Sequence, residues 1–192
     1  MSLLSYDEIC ELIEQGVIEG ASYDDVNSAS LDIHLGRYVM QEAAGKIGHT
    51  ISLKAKQLLP MNRIDLEAGP YHMWPGEFIL AQSRELFHLP NNVSAEYKLK
   101  SSMARIGLDH LNAGWCDAGW HGSVLTLELK NCTKNFNIEL AAGVPIGQMI
   151  FFKHADVPAN KSYAARGRYN GDKEVSGVKK SPLPLFIPQY QD

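Results

Sequence analysis

Cysteine is scarce in this chain. Cys10, Cys116 and Cys132 are an odd number with no close spacing. Such a set excludes a disulfide framework and fits a reducing compartment. A dominant charge is also missing: 18 Lys and Arg face 22 Asp and Glu, for a net charge of −4. That balance argues against a nucleic-acid or anionic-membrane binder, though not against a local basic pocket. No apolar run reaches the roughly 18 residues of a membrane span. The first residues lack the basic and apolar regions of a secretory leader, so a soluble, cytoplasmic protein is expected. Several chemical signatures are absent. Without C-x-x-C, or H-x-E followed by P-C-x-x-C, the ligand set of a zinc-dependent deaminase is excluded. There is no G-x-S-x-G, no phosphate loop and no G-x-G-x-x-G. The seven histidines are scattered without ligand spacing, so structural roles and no metal ligands are expected.

What the chain has is apolar content, 45% of 192 residues, enough for one domain with a sizeable core. Ser5 followed by Glu8 forms a capping box, Ile9, Leu12 and Ile13 form one face, and Gly16 supplies a stop. This predicts a core helix over 5–16. Thereafter short strands alternate with Gly, Pro and Asn turns: Leu31–Leu35, Phe78–Gln82, Val124–Lys130 and Ile146–Phe152. Many such strands imply a sandwich or barrel. Beyond residue 154 glycine, lysine and arginine replace large apolar groups. The expectation is one β domain over 1–154 and a flexible tail over 155–192.

Three stretches hold groups with chemical potential. In KLKSSMARIGL (Lys98–Leu108), Ser101 and Ser102 can cap a short helix ending at Gly107, and Lys100 and Arg105 add charge. Capped amides beside cations make an anion cradle. A surface turn with ordinary capping serines accounts for the same residues. In AGWCDAGWHG (Ala113–Gly122), small residues would let a ring approach the backbone, and Asp117 could accept from a sugar hydroxyl. A glycine-rich hairpin with buried aromatics fits equally. In VLTLELK (Val124–Lys130), Leu125, Leu127 and Leu129 share one face, which turns Glu128 to the other. There it is either solvated or, if that face lines a pocket, a general base for water.

Taken together, these stretches resemble the dCTP deaminases, within the trimeric dUTPase superfamily. KSSMARIG (Lys100–Gly107) is similar to the family's basic-Ser-Ser-(Leu/Met)-Ala-Arg-x-Gly motif. SLDIHLG (Ser30–Gly36), PGE (Pro75–Glu77), Ala113–Gly122, LTLEL (Leu125–Leu129) and GVPIGQ (Gly143–Gln148) resemble further family segments, in the family's order over nearly the whole chain. The resemblance implies a mainly β, dUTPase-like distorted barrel or jelly roll, with a short N-terminal helix and a tail that closes over the nucleotide. It implies zinc-independent conversion of dCTP to dUTP and ammonia. Glu128 would be the general acid/base, with Ser101 and Arg105 positioning water and base. Lys100 and Ser102 would face the phosphates, and the Ala113 carbonyl the base. Asp117 would bind the 3′-hydroxyl, and Trp115, Gln148 and Tyr169 also fall among substrate contacts. Mg2+ would arrive on the triphosphate. The family forms trimers with sites at subunit interfaces, and dTTP often inhibits its members.

Some positions depart from the pattern. Between Arg105 and Asp117 the chain is one residue shorter than enteric-type relatives, and between Gly122 and Glu128 one longer. Asp172 stands where the family's tail has glutamine, so no triphosphate contact is assigned to it. Gly114–Trp115 and Gln148 resemble the dUTPases and the bifunctional enzymes, which continue from dUTP to dUMP and pyrophosphate, more than the deaminase-only enzymes. The first expectation is deamination alone and the alternative is the bifunctional reaction. A plain dUTPase is disfavoured by Glu128, and an inactive nucleotide sensor by the intact set of Ser101, Arg105 and Glu128.

Overall fold

The computed structural model describes residues 2–179 apart from 46, 47, 49 and 53. The rest of the expected tail, 180–192, lies outside the described residues. In chain order the elements are β1 (Ser2–Leu3), α1 (Tyr6–Glu14), β2 (Ile18–Glu19), β3 (Leu31–Glu42), β4 (Met61–Asp65) and β5 (Tyr71–Met73). There follow β6 (Phe78–His88), β7 (Val93–Leu99), α2 (Ser101–Arg105), β8 (Leu108–His110) and β9 (Trp115–Cys116). The last are β10 (His121–Asn131), β11 (Ile138–Leu140), β12 (Pro145–Lys153) and α3 (Tyr163–Arg166).

The fold is mostly β, as expected. One sheet runs β8-β10-β6-β3-β12-β7-β9, with β1 on β12, β2 on β6 and β4 on β3, while β5 and β11 form a separate pair. β8 and β9 lie at opposite ends of this strand path. Yet His110 and Trp115 are joined by a chain that can span at most roughly 17 Å. The sheet must therefore curl until its ends approach each other. That curl makes the site, because the link between β8 and β9 crosses its mouth.

α1 follows from its sequence. Ser5 N–H donates to Glu8 Oε2 at 2.9 Å, Ile9 and Leu12 are buried, and Gly16 takes a positive φ of 70° after the last turn. β10 also keeps its alternation, with Leu127 and Leu129 fully buried and Glu128 on the opposite face. Burying each leucine contributes roughly 1.5–3 kcal/mol. The pairing of β10 with β6 slips twice near the start of the strand, between His121 and Ser123 and between Val124 and Thr126. From Thr126 to Lys130 the register with β6 is unbroken. Glu128 thus lies in the regular part of this pairing, beyond both irregularities.

α2 corrects one expectation. Ser101 and Ser102 do not cap it; both lie inside the helix, and Lys100 is the N-cap. The reason is a tether. Lys100 N–H donates to Ile146 O at 3.1 Å, and the Lys100 carbonyl accepts from Met103 and Ala104 at 3.0 and 3.1 Å. Strand β12 thus decides where the helix begins. Gly107, at φ 88°, ends it as expected.

Candidate active site

A cavity of about 480 Å3 lies against the outer face of β10, a size usual for small-molecule sites. Thr126 and Glu128 form its floor with Phe78 and Leu80 of β6. Ala113, Trp115, Cys116 and Asp117 form one wall. Tyr163, Tyr169, Asp172 and the 176–178 segment form another.

Glu128 reaches this floor because period-two alternation turns it away from the leucine core. Its side chain is 26% exposed, yet its Oε2 is buried and lacks a hydrogen-bond partner. His110 Nε2, from neighbouring β8, lies 3.4 Å from that oxygen. Asp117 sits at the opening, where Trp115 Nε1–H donates to its Oδ1 at 2.8 Å. Trp115 also stacks on Phe152 of β12, with centroids 6.2 Å apart, which steadies an otherwise exposed ring. Burial pushes the Cys116 thiol well above its ordinary range, and the Asp117 and Glu128 carboxylates push the same way. A thiol so held is neutral at physiological pH and is no nucleophile.

The chain after residue 154 packs on this body. Asp172 O accepts from Val124 N–H at 2.8 Å, Ser123 Oγ donates to Tyr169 O at 2.7 Å, and Tyr163 N–H donates to Ala118 O at 3.0 Å. Val175 is buried and its N–H donates to Gln82 Oε1 at 2.9 Å. Asp172 lines the cavity but is ion-paired with Lys179 and accepts from Ser176 Oγ at 2.9 Å. Its carboxylate is thereby directed to the tail itself.

Of the residues predicted from sequence, the structure brings Glu128, Ala113, Trp115, Asp117 and Tyr169 to one cavity. It does not bring Ser101, Ser102, Arg105, Lys100 or Gln148 to the same cavity. Ser101, Ser102 and Arg105 are exposed on α2. Lys100 pairs with Asp32 on β3, whose other oxygen accepts from Asn27 at 2.8 Å and Gln148 at 3.4 Å. Burial opposes ionisation of Asp32, but the Lys100, Asn27 and Gln148 contacts outweigh it and lower its pKa. Three carboxylates, Glu128, Asp117 and Asp172, thus line the cavity with no lysine or arginine among its described lining residues, while Lys179 pairs with Asp172 and both Arg168 and Lys179 stand over the Tyr169 ring. Among the described residues the lining of this cavity therefore carries more negative than positive charge.

The chain is similar to known proteins over most of its length. A family model described as dCTP deaminase-like matches residues 3–154. A protein of Methanosphaerula palustris named "dCTP deaminase, dUMP-forming" is 32% identical over 185 residues, covering 94% of this chain and 96% of that protein. One of the same name from Aquifex aeolicus is 35% identical over 176 residues, 90% of this chain and 92% of that protein. The crystal structure of the 2′-deoxycytidine 5′-triphosphate deaminase of Agrobacterium tumefaciens superposes with a TM-score of 0.62 at 25% identity. That match covers 78% of this chain and 47% of the solved chain, so this chain spans about half that length. The chain belongs to the dCTP deaminase-like family.

Proposed function

We propose that this protein is a bifunctional enzyme that deaminates dCTP and then cleaves the triphosphate to give dUMP and pyrophosphate. The observation that carries the deaminase step is Glu128, a carboxylate on the cavity floor with one buried oxygen. Glu128 takes a proton from water as the oxygen bonds to C4 of cytosine, and returns it to the ring or the leaving nitrogen. The C4–N bond breaks, ammonia leaves, and the two water protons end on N3 and on ammonia. The second step is supported by the dUMP-forming name of the relatives and by Gly114–Trp115 and Gln148 in this sequence. It moves the bifunctional reaction ahead of deamination alone.

The missing cations support a site shared between subunits of a trimer. In this reading α2 of a neighbour brings Ser101 and Arg105 to the base and Lys100 and Ser102 to the phosphates. The tail beyond residue 154 covers the nucleotide from the side of Tyr163 and Tyr169. Mg2+ arrives on the triphosphate, held by phosphate and water oxygens. dTTP as a feedback ligand of this pocket belongs to the same proposal.

Incubation with dCTP and Mg2+, following ammonia, dUTP, dUMP and pyrophosphate, tests both steps. Equal amounts of ammonia, dUMP and pyrophosphate are expected. Accumulating dUTP would confine the enzyme to deamination, and cleavage of dUTP with untouched dCTP would remove the deaminase assignment.

Trp115 has a separable role. Its indole N–H holds one Asp117 oxygen and leaves the other for a sugar hydroxyl. Because both groups are exposed, losing that bond costs only about 0.5–1.5 kcal/mol. Trp115→Phe is expected to raise KM for dCTP about 2- to 10-fold and leave kcat near wild type, in steady-state assays. A fall in kcat with unchanged KM would place Trp115 in the chemical step instead.

A further inference from the structure

Among the described residues, three buried side-chain polar atoms have no hydrogen-bond partner: Tyr97 Oη, His110 Nε2 and Glu128 Oε2. Such atoms are rare and costly in folded proteins. Two of these face each other. His110 Nε2 and Glu128 Oε2 are 3.4 Å apart, within reach but without an aligned hydrogen bond. In unliganded sites contacts of this kind are often long and tighten when substrate binds.

The backbone holds the two residues together. Leu129 pairs with His110 across β10 and β8, and Leu111 N–H donates to Glu128 O at 3.1 Å. The imidazole is 4% exposed and meets the Tyr97 ring edge-on, with centroids 4.7 Å apart. Tyr97 is itself seated on Gly147, where an added Cβ would lie 2.1 Å from its ring. The tyrosine therefore blocks retreat of the imidazole on that side. Other titratable groups around the pair are Cys116 from β9 and Asp117 in the turn after it. Burial raises both the Tyr97 hydroxyl and the Cys116 thiol, so both stay neutral, and Asp117 is the nearby charge.

We infer that His110 is the positioning partner of Glu128: its Nε2–H holds Oε2 and leaves Oε1 to meet the water. Oε2 is the buried oxygen, so the remaining exposure of the side chain belongs to its other atoms. His110 neither gains nor loses a proton. When Glu128 takes the water proton on Oε1, Oε2 still accepts from the same N–H, so the carboxyl keeps its orientation through the cycle. The effect on turnover rests on the deaminase reading; the pair itself does not.

Two substitutions and one spectrum test this. His110→Phe is expected to lower kcat for ammonia release on the order of 10- to 100-fold, with KM for dCTP within about twofold of wild type. His110→Gln, whose amide N–H replaces Nε2–H, is expected to keep most of the activity. In the 15N spectrum of the wild-type protein the His110 Nε2 should be protonated. Wild-type kcat in His110→Phe would overturn the inference, as would equal losses in the two variants, which would mean packing alone. A bare Nε2 would overturn it too. If the wild-type protein releases no ammonia from dCTP, the deaminase reading falls and the spectrum alone decides the pair.

Discussion

Glu128→Gln is expected to lower ammonia release from dCTP by about 10^2- to 10^4-fold, while the nucleotide still binds within a few-fold of wild type. Glutamine has nearly the same shape and keeps one acceptor, so the cavity floor is preserved. It cannot accept the water proton, and with that the attack on C4 loses its base. The fully buried Leu127 and Leu129 on either side fix the strand, so the change is confined to the outer face. The amide can also stand opposite His110 without leaving a buried charge. Single-turnover ammonia release together with a direct binding isotherm for the Mg2+ complex of dCTP separates the two quantities. Full turnover in this variant would remove Glu128 from the mechanism, and loss of binding with intact chemistry would make it a substrate ligand.

The residues that sequence placed correctly are those whose environment is set by their own element. Glu128 is one, because alternation along a single strand decides which face it takes, and the bulge near Gly122 leaves that alternation intact. The α1 capping box is another, since its partners are three residues apart. What sequence did not show depends on distant strands. His110 stands beside Glu128 only because β8 pairs with β10, and nothing in the scatter of seven histidines marks it. A Leu-Asp-His alternation at 108–110 was the one available sign that His110 faces inward. The serines of α2 were misplaced because the helix start is fixed by the carbonyl of Ile146, on a strand reached only 45 residues later. The packing of 155–179 was equally hidden: its polar composition reads as solvated, but it is held by main-chain and side-chain hydrogen bonds to the start of β10, to Asn91 and to Gln82. The curl of the sheet makes the cavity, and that curl is a property of strand order, to which local pattern is blind.

The proposed division of the site between subunits predicts a second large effect. Arg105 is exposed on α2, away from the cavity of its own protomer, whereas Glu128 lies inside that cavity. If a neighbour's α2 completes the site, Glu128→Gln and Arg105→Ala disable the same site from opposite subunits. Each homotrimer alone is then expected to fall to about 1% of wild-type ammonia release or less. Mixed trimers should behave differently. A site with an intact Glu128 and an intact Arg105 forms wherever the Arg105→Ala protomer meets the correct face of a Glu128→Gln protomer. With random assembly from equal amounts, about one quarter of the sites are of this kind. Co-expressing the two variants with different affinity tags and isolating trimers that carry both removes the homotrimers. Each remaining ring has one such site in three, so ammonia release should return to about a third of wild type. A site built within one protomer gives no recovery, because every subunit then carries its own defect. The same mixture made with Glu128→Gln and Asp117→Ala is the control. Both residues line the same cavity, so no combination of those subunits restores an intact site, and activity should not exceed the average of the two homotrimers.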